Sequence, residues 1–222
     1  MNRNYLKIIA VVCMLIDHIG LYFLDNNIIC RGIGRLAMPI FAYFIAEGVK
    51  YTKNRKKYTL LLLLFGIISQ IPYTLLHGYF RFNILITFLI SIIFIYLIEN
   101  FNKNIFYTIF TIFLTLTFIL IEFLSLFEYG IFAIALVIVF YFNKSKKSKL
   151  INGLIVLLLY SLYLMLSSNY NIFSFIQLCA LLSLVILYFY NGTKGKLNLK
   201  YLFYTFYPLH FYIILFIKLL FL

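Results

Sequence analysis

The segment from Lys7 to Leu24, KIIAVVCMLIDHIGLYFL, places an Asp-His pair inside an apolar stretch. Each charged group near the centre of a bilayer costs roughly 2.5–3.5 kcal/mol or more, so Asp17 and His18 need a polar partner or a water-filled cavity. If the segment is helical, the side chains of Lys7 and His18 lie within about 20° of the same helix face, about 16 Å apart along the axis. One face therefore carries a cation near one end and, deep inside, a titratable imidazole.

The composition is that of a membrane protein. The chain has 222 residues, of which 65% are hydrophobic and 11% charged, and its mean hydropathy is +1.04. A soluble domain of this length needs more charge to cover its surface. The apolar runs are continuous, about 17–20 residues each, whereas a barrel shows short alternating strands. The sequence predicts an all-α fold, a polytopic transmembrane helical bundle that forms a single domain over residues 1–222.

The apolar runs predict about nine spans, within a range of 8–10 set by the irregular fifth and sixth runs. Residues 129–142 are short for a full crossing, so a tilted, broken or re-entrant segment is an alternative there. The predicted spans run near residues 5–24, 33–50, 59–76, 83–99, 105–121, 129–142, 151–167, 171–190 and 202–221.

Loop charge predicts the orientation. Most of the 19 basic residues lie in loops on the same side as the N-terminus, and Asp25, Glu122 and Glu128 collect on the other side. This positive-inside pattern predicts a cytoplasmic N-terminus in a multi-pass protein of a bacterial cell membrane. The net charge of +13 lies in short loops between spans, which argues against nucleic acid as a partner. The three scattered cysteines indicate neither a disulfide framework nor a metal site.

Depth within the spans sorts the intramembrane polar residues into groups. The outer half of the predicted bundle holds Asp17, His18, Arg35, Asn83, Thr87 and Gln177. The cytoplasmic ends hold Lys7, Glu47, Lys50, Lys200 and Tyr204. Tyr207 and His210 lie between the two groups, next to Pro208, which should kink its helix and free a carbonyl. The pattern predicts a polar track that leads from the inner surface to a site in the outer half.

Each of these residues also has a structural interpretation. Asp17 and Arg35 can form an ion pair that locks two spans, and the two histidines can be hydrogen-bonding groups between packed helices. Lys7 can be an anchor that extends its ammonium toward the interface.

An ordered set of short motifs resembles the TraX family, which is named after a conjugation protein that acetylates the N-terminus of F-type pilin. The motifs extend over nearly the whole chain. They are Lys7, Asp17-His18-x-Gly20, Gly34-Arg35-Leu-Ala-Met-Pro39-Ile-Phe41, Glu47-Gly48, Ser69-Gln70-Ile71-Pro72-Tyr73, Asn83 with Thr87, Glu128-Tyr129-Gly130, Tyr190-Asn191-Gly192-x-x-Gly195, and Lys200-Tyr201-x-Phe203-Tyr204-x-x-Tyr207-Pro208-x-His210.

The resemblance extends to the broader membrane acyltransferases that include acyltransferase-3, in which a basic residue precedes a histidine by the spacing of Lys7 and His18. It implies a transferase that takes an acetyl group from cytoplasmic acetyl-CoA, with no metal. The acceptor, at or near the outer face, is left open among a peptide, a glycan and a lipid. The resemblance implies His18 as the catalytic residue, with Lys7 and Arg35 as supporting cations. Acyl transfer suits His18 as general base, and Asp17 is counted with His18 and Arg35 among the catalytic candidates. The remaining candidates divide into a donor-binding set (Lys7, Glu47, Lys50, Lys200, Tyr204) and an acceptor-binding set (Asn83, Thr87, Gln177, Tyr207, His210).

The chain departs from the family pattern at two positions. The family usually has an acidic residue where this chain has Gln70, and often an Asp where it has Thr74. The resemblance therefore predicts the type of reaction better than it predicts the acceptor.

Two functions of other classes stay open from the sequence. A small proton-coupled transporter or flippase would use the same polar track as its permeation path, although no inverted repeat is evident. A non-enzymatic membrane scaffold would leave the Lys7–His18 spacing unexplained.

Overall fold

The structure is a computed structural model. It describes residues 1–101, 105, 108–109, 111–113, 115–116, 126–168, 170–196 and 200–221, without the side chains of residues 200–202 and 221. The helices are α1 (Arg3–Phe23), α2 (Ile28–Gly34), α3 (Ala37–Tyr51), α4 (Arg55–His77), α5 (Ile84–Asn100), α6 (Gly130–Phe142), α7 (Lys146–Ser167), α8 (Ile172–Phe175), α9 (Leu182–Tyr188) and α10 (Lys200–Phe221). A 3₁₀ segment, Ile176–Leu181, joins α8 to α9.

The prediction of an all-helical membrane protein is confirmed. Among the residues that the structure describes, five helical segments are long and apolar enough to cross a bilayer: Arg3–Phe23, Ile28–Tyr51, Arg55–His77, Lys146–Ser167 and Phe203–Leu220. Outside the helices, the only strand-like pairing in the described ranges is an isolated bridge between Phe82 and Phe127.

The predicted count of nine spans is not reproduced. Three shorter apolar helices, Ile84–Asn100, Gly130–Phe142 and Ile172–Tyr188, match predicted spans in position but not in full crossing length. The fifth predicted span, 105–121, lies largely outside the described residues. At a rise of 1.5 Å per residue, α6 is about 20 Å long, as its short apolar run predicted.

Asparagine side chains fix where several helices begin. Asn2, Asn27, Asn54 and Asn83 each accept hydrogen bonds from backbone N–H groups in the first turn of α1, α2, α4 and α5. Such caps satisfy donors that have no partner within the helix. At the other end of α4, Gly78 adopts φ +75° and donates its N–H to the carbonyl of Thr74.

The helices group into two compact units. The first comprises Met1–Ile45 and Phe142–Phe203, and the second comprises Ala46–Tyr141 and Tyr204–Leu222. In the first unit, α7 exposes a row of apolar side chains that suits contact with lipid: Ile151, Leu154, Ile155, Leu158 and Leu162. In the second unit, Phe94, Phe127 and Ile134 form a buried cluster.

Candidate functional site

The buried carboxylate of Asp17 forms an ion pair with Arg31 in the first unit. Nη1 of Arg31 donates to Oδ2 of Asp17 at 2.6 Å, and the two side chains are 14% and 12% exposed. The sequence analysis named Arg35 as the possible partner of Asp17. The structure puts Arg31 inside α2, and the charge of Arg35 also acts on the Asp17 carboxylate. The positive charges of Arg31 and Arg35, four residues apart, therefore both act on the Asp17 carboxylate.

Two glycines let α1 and α2 approach closely enough for this pair. A Cβ at Gly34 would collide with the Asp17 carboxyl group, and a Cβ at Gly20 would collide with Cβ of Cys30. Both glycines belong to the motifs Asp17-His18-x-Gly20 and Gly34-Arg35. The two motifs therefore contain the glycines that let α1 and α2 pack closely as well as the candidate catalytic residues.

His18 lies on the buried side of α1, directly after Asp17, and is 8% exposed. Its ring is tilted against that of Tyr22, with the centroids 6.1 Å apart. Lys7 is half-buried on the same helix, with Nζ 4.6 Å from the ring centroid of Phe203 and 5.6 Å from that of Phe44. Lys7 and His18 thus lie on the same helix of the first unit.

Gln177 lies in the 3₁₀ segment that interrupts the predicted eighth span. It is 2% exposed, and its Nε2 has no hydrogen-bond partner among the described residues. Oδ1 of Asp17, in the same unit, likewise lacks a hydrogen-bond partner there. A buried donor and a buried acceptor without partners are costly, and such atoms often mark a place where a ligand or water binds.

Asn83 and Thr87, predicted to bind the acceptor, are fully buried in the second unit. Nδ2 of Asn83 donates to the carbonyl of Gly66 at 2.8 Å and to Oε1 of Gln70 at 2.9 Å. The Thr87 hydroxyl donates to the carbonyl of Glu128 at 3.0 Å. These bonds hold α4, α5 and the segment before α6 together, which gives both residues a structural task.

The two departures from the family motif contact each other. Nε2 of Gln70 donates to Oγ1 of Thr74 at 3.0 Å and to the carbonyl of Arg81 at 2.7 Å. A glutamate at position 70 would have no N–H for either bond. Gln70 and Thr74 therefore act as a pair.

The other predicted residues of the second unit lie among aromatic rings or are buried. Tyr204 stacks on Phe65, with centroids 5.5 Å apart. His210 is 3% exposed, donates Nδ1–H to the carbonyl of Phe206 at 2.9 Å, and contacts the ring of Tyr207.

The last members of the predicted donor set belong to different parts of the chain. Glu47 is buried and Lys50 exposed, and both belong to the second unit, whereas Lys7 belongs to the first. The side chain of Lys200 lies outside the described residues. No group of three or more His, Cys, Asp or Glu side chains suited to a metal ion occurs in the part of the chain that the structure describes.

Comparison with known proteins gives the family. The model of the TraX protein family matches residues 2–218. The chain belongs to the TraX family. The predicted resemblance is therefore confirmed at this level, whereas the link to acyltransferase-3 remains a prediction.

Two curated relatives accompany the TraX match. The uncharacterized protein RP591 of Rickettsia prowazekii (strain Madrid E) is 31% identical over 149 residues, which cover 67% of this chain and 58% of the relative. The probable fimbrial assembly protein FimC, serogroup H1, of Dichelobacter nodosus is 38% identical over 80 residues, which cover 32% of this chain and 33% of the relative. The matches thus span about a third to three fifths of the relatives' lengths. No solved structure matches the chain.

Proposed function

We propose that this TraX-family protein is a membrane acetyltransferase that moves an acetyl group from cytoplasmic acetyl-CoA to an amine or hydroxyl at or near the outer face. The observation that carries the proposal is the arrangement around His18. In a helix of membrane-spanning length, a buried imidazole follows a carboxylate that is held by Arg31 and retains an unpartnered oxygen. A purely structural pair needs no such oxygen, since unpaired buried polar atoms are costly.

The reaction can be written with these residues. The acceptor nitrogen or oxygen attacks the thioester carbonyl carbon, and the His18 imidazole takes the proton that the acceptor loses. The carbon–sulfur bond then breaks, the thiolate leaves as the free thiol after it takes up that proton, and the acetylated acceptor is the product. The negative charge of Asp17 and the positive charges of Arg31 and Arg35 set the electrostatic environment of the His18 imidazole.

The tetrahedral intermediate carries an oxyanion that needs a donor. The amide of Gln177 is the better candidate than that of Asn83, because its Nε2 has no partner among the described residues while the Asn83 amide donates two hydrogen bonds. A preorganised buried donor of this type contributes strongly to catalysis.

The acceptor to test first is inferred from the name of a relative. One relative is named as a probable fimbrial assembly protein, which makes the amino terminus of a fimbrial subunit a sensible first acceptor to test. Sugar and lipid hydroxyls are the other acceptors for the same assay.

The test uses purified protein in lipid nanodiscs, with acetyl-CoA binding and hydrolysis measured for wild type, His18→Ala and His77→Ala. His77 is the matched control, because its Nδ1 donates to the Tyr73 carbonyl and no role is assigned to it. We expect slow hydrolysis by wild type and His77→Ala, and binding without hydrolysis by His18→Ala. Failure of wild type to bind acetyl-CoA would overturn the donor assignment and favour a transporter. Equal hydrolysis by His18→Ala would overturn the general-base role.

A further inference from the structure

Four exposed lysines lie at the connection between α3 and α4, in the second unit. The connection is only residues 52–54, because α3 ends at Tyr51 and α4 begins at Arg55. Both helical segments that meet here are long and apolar enough to cross a bilayer. Since so short a connection cannot extend far from the membrane, we expect its side chains at the level of the lipid headgroups. The α3–α4 lysines are Lys50, Lys53, Lys56 and Lys57.

The arginine at the same connection has a carboxylate partner within the unit. Nη1 of Arg55 donates to Oε2 of Glu99 at 2.6 Å, and its Nη2 donates to the hydroxyl of Tyr141 at 3.0 Å. The guanidinium also lies 5.4 Å from the ring centroid of Tyr96. The negative charge of Glu99, at the end of α5, is therefore already paired.

The α3–α4 lysines have no such partner. Nζ of Lys50 is 5.9 Å from the ring centroid of Tyr51, and in the described part of the chain none of the four lysines forms an ion pair or donates a side-chain hydrogen bond. Within residues 46–101 the carboxylates are those of Glu47 and Glu99. Glu47 lies one turn before Lys50 but is only 8% exposed, whereas the lysine is exposed and not paired with it. Even with both carboxylates counted, positive charge is in excess at this end.

The first turn of α4 carries the charge that a helix start disfavours. Arg55, Lys56 and Lys57 open the helix, and no acidic residue occurs in its first turn. A helix N-terminus has partial positive charge, so cations destabilise it and anions stabilise it. The side chain of Asn54 accepts a hydrogen bond from the backbone N–H of Lys57 but brings no charge. Glu99 compensates the arginine, and an anion bound from outside the chain would compensate the two lysines.

We propose that the α3–α4 lysines bind the phosphate groups of anionic lipids in the surrounding bilayer. The inference goes beyond acetyl transfer and does not depend on it. An ammonium binds phosphate as a point charge, and four or more basic residues next to a membrane-spanning helix attract anionic headgroups. Tyr51, which is 64% exposed, adds an amphipathic ring of the kind that lies at the headgroup level. The short connection favours a lipid over a soluble polyanion, because lipid phosphates lie at that same level.

Orientation of the helices is the simpler explanation of these lysines, and it makes a different prediction. Basic residues in a loop are enough to orient the helices that flank it during insertion. Lysines with that task alone need no particular headgroup beside them in the inserted protein. The preference of the inserted protein for anionic over neutral lipid therefore separates the two explanations.

The chain contains no tryptophan, so one introduced tryptophan reports on the lipids next to it. Tyr51→Trp places this reporter beside Lys50, and Tyr79→Trp places it at an exposed position after the other end of α4. Each protein is reconstituted in phosphatidylcholine with a small fraction of brominated phosphatidylglycerol or brominated phosphatidylcholine, whose acyl chains quench tryptophan on contact. We expect a preference for phosphatidylglycerol of about fivefold or more at position 51 and none at position 79.

Variants in the Tyr51→Trp background test the lysines themselves. Lys56→Gln/Lys57→Gln should lower the preference by about fivefold or more, and Lys56→Arg/Lys57→Arg, which keeps both charges, should retain it. The matched control is Lys144→Gln/Lys147→Gln, which removes the same number of charges from exposed positions around the start of α7 and should change nothing. Soluble glycerophosphoglycerol, the headgroup without its chains, should not relieve the quenching at millimolar concentration.

Every other result overturns the proposal. Equal quenching by the two brominated lipids at position 51 would leave the lysines with orientation alone. Equal preference at positions 51 and 79, or an equal loss in Lys144→Gln/Lys147→Gln, would show general attraction to a chain of net charge +13. Relief by soluble glycerophosphoglycerol would show a site for free phosphate esters. Because no arm measures acetyl transfer, failure of the acetyltransferase proposal leaves this one standing, and the reverse also holds.

Discussion

The Asp17–Arg31 pair and the Arg55–Glu99 pair differ in burial, and their energies should differ accordingly. The side chains of Arg31 and Asp17 are 14% and 12% exposed, whereas those of Arg55 and Glu99 are 35% and 27% exposed. Removal of one member of a buried pair leaves a charge without compensation, while a pair that is more accessible to water loses less.

We therefore predict that Arg31→Met lowers the free energy of unfolding by about 3–5 kcal/mol. Its effect should fall toward the lower end of that range, because the charge of Arg35 also acts on Asp17. The matched change Arg55→Met should cost roughly 0.2–1 kcal/mol. Thermal unfolding of both variants, together with Asp17→Leu and the Arg31→Met/Asp17→Leu double variant, measures the coupling. Equal effects of the two arginine changes would contradict the prediction.

Gln177 should separate stability from activity. Loss of a buried donor that has no partner is neutral or stabilising, whereas loss of an oxyanion donor lowers kcat by about 10²–10³-fold. Gln177→Leu should therefore unfold at or above the wild-type temperature and transfer acetyl groups far more slowly. The control is Asn83→Leu, which removes two donated hydrogen bonds and the N-terminal cap of α5. It should lower the free energy of unfolding by about 1–3 kcal/mol. Full activity of Gln177→Leu would remove Gln177 from the mechanism.

At the scale of elements, α2 provides a sharp comparison between two glycines. A Cβ at Gly34 would collide with the Asp17 carboxyl group, whereas a Cβ at Gly32 would meet its nearest neighbour, Sγ of Cys179, at 3.4 Å. Gly34→Ala should destabilise the protein by about 1–3 kcal/mol and displace Asp17 from Arg31. Gly32→Ala should be tolerated. Thermal unfolding and hydrolysis assays of both variants check this, and an equal response would show that α1 and α2 are not so closely packed.

Long apolar runs are the part of the fold that the sequence predicts well. The predicted spans 5–24, 59–76 and 202–221 each lie within or one residue beyond α1, α4 and α10, because uninterrupted apolar runs of that length have few alternatives in lipid.

Breaks within a run are the part that hydropathy misses. The predicted span 33–50 begins at Ile28 in the structure, because Asn27 caps the short helix α2 there. The helix is interrupted at Arg35 and Leu36, and α3 begins after them. The predicted span 171–190 contains a 3₁₀ segment with Gln177, and apolar content does not distinguish 3₁₀ from α-helix.

The candidate site, like the fold, could be predicted from the sequence only in part. The burial of Asp17 and His18 follows from an apolar helix that carries them. The choice of Arg31 over Arg35 does not, because residues four apart share a helix face and only the packing of α1 on α2 decides between them. The ring of Tyr43, over which Nζ of Lys149 lies, is more than a hundred positions away in the sequence, and no local pattern predicts that contact.

At the scale of the whole molecule, the orientation in the membrane sets which candidates can meet cytoplasmic acetyl-CoA. The positive-inside pattern predicts that the N-terminus and the start of α7 face the cytoplasm and that the loop after α4 faces outside. The proposed transfer from cytoplasmic acetyl-CoA requires this orientation, because the opposite one would place Lys7, near the start of α1, on the side away from the donor.

Substituted cysteines test this orientation in intact cells. Cys13, Cys30 and Cys179 would first be replaced, and single cysteines introduced at two exposed positions, Tyr79 and Lys144. A membrane-impermeant maleimide should label Tyr79→Cys in intact cells, and Lys144→Cys only after the membrane is permeabilised. Because Tyr79 follows α4 and Lys144 precedes α7, the two positions report on helices from both units. The reverse labelling pattern would overturn both the cytoplasmic donor site and the direction of acetyl transfer, whatever the activity of the purified protein.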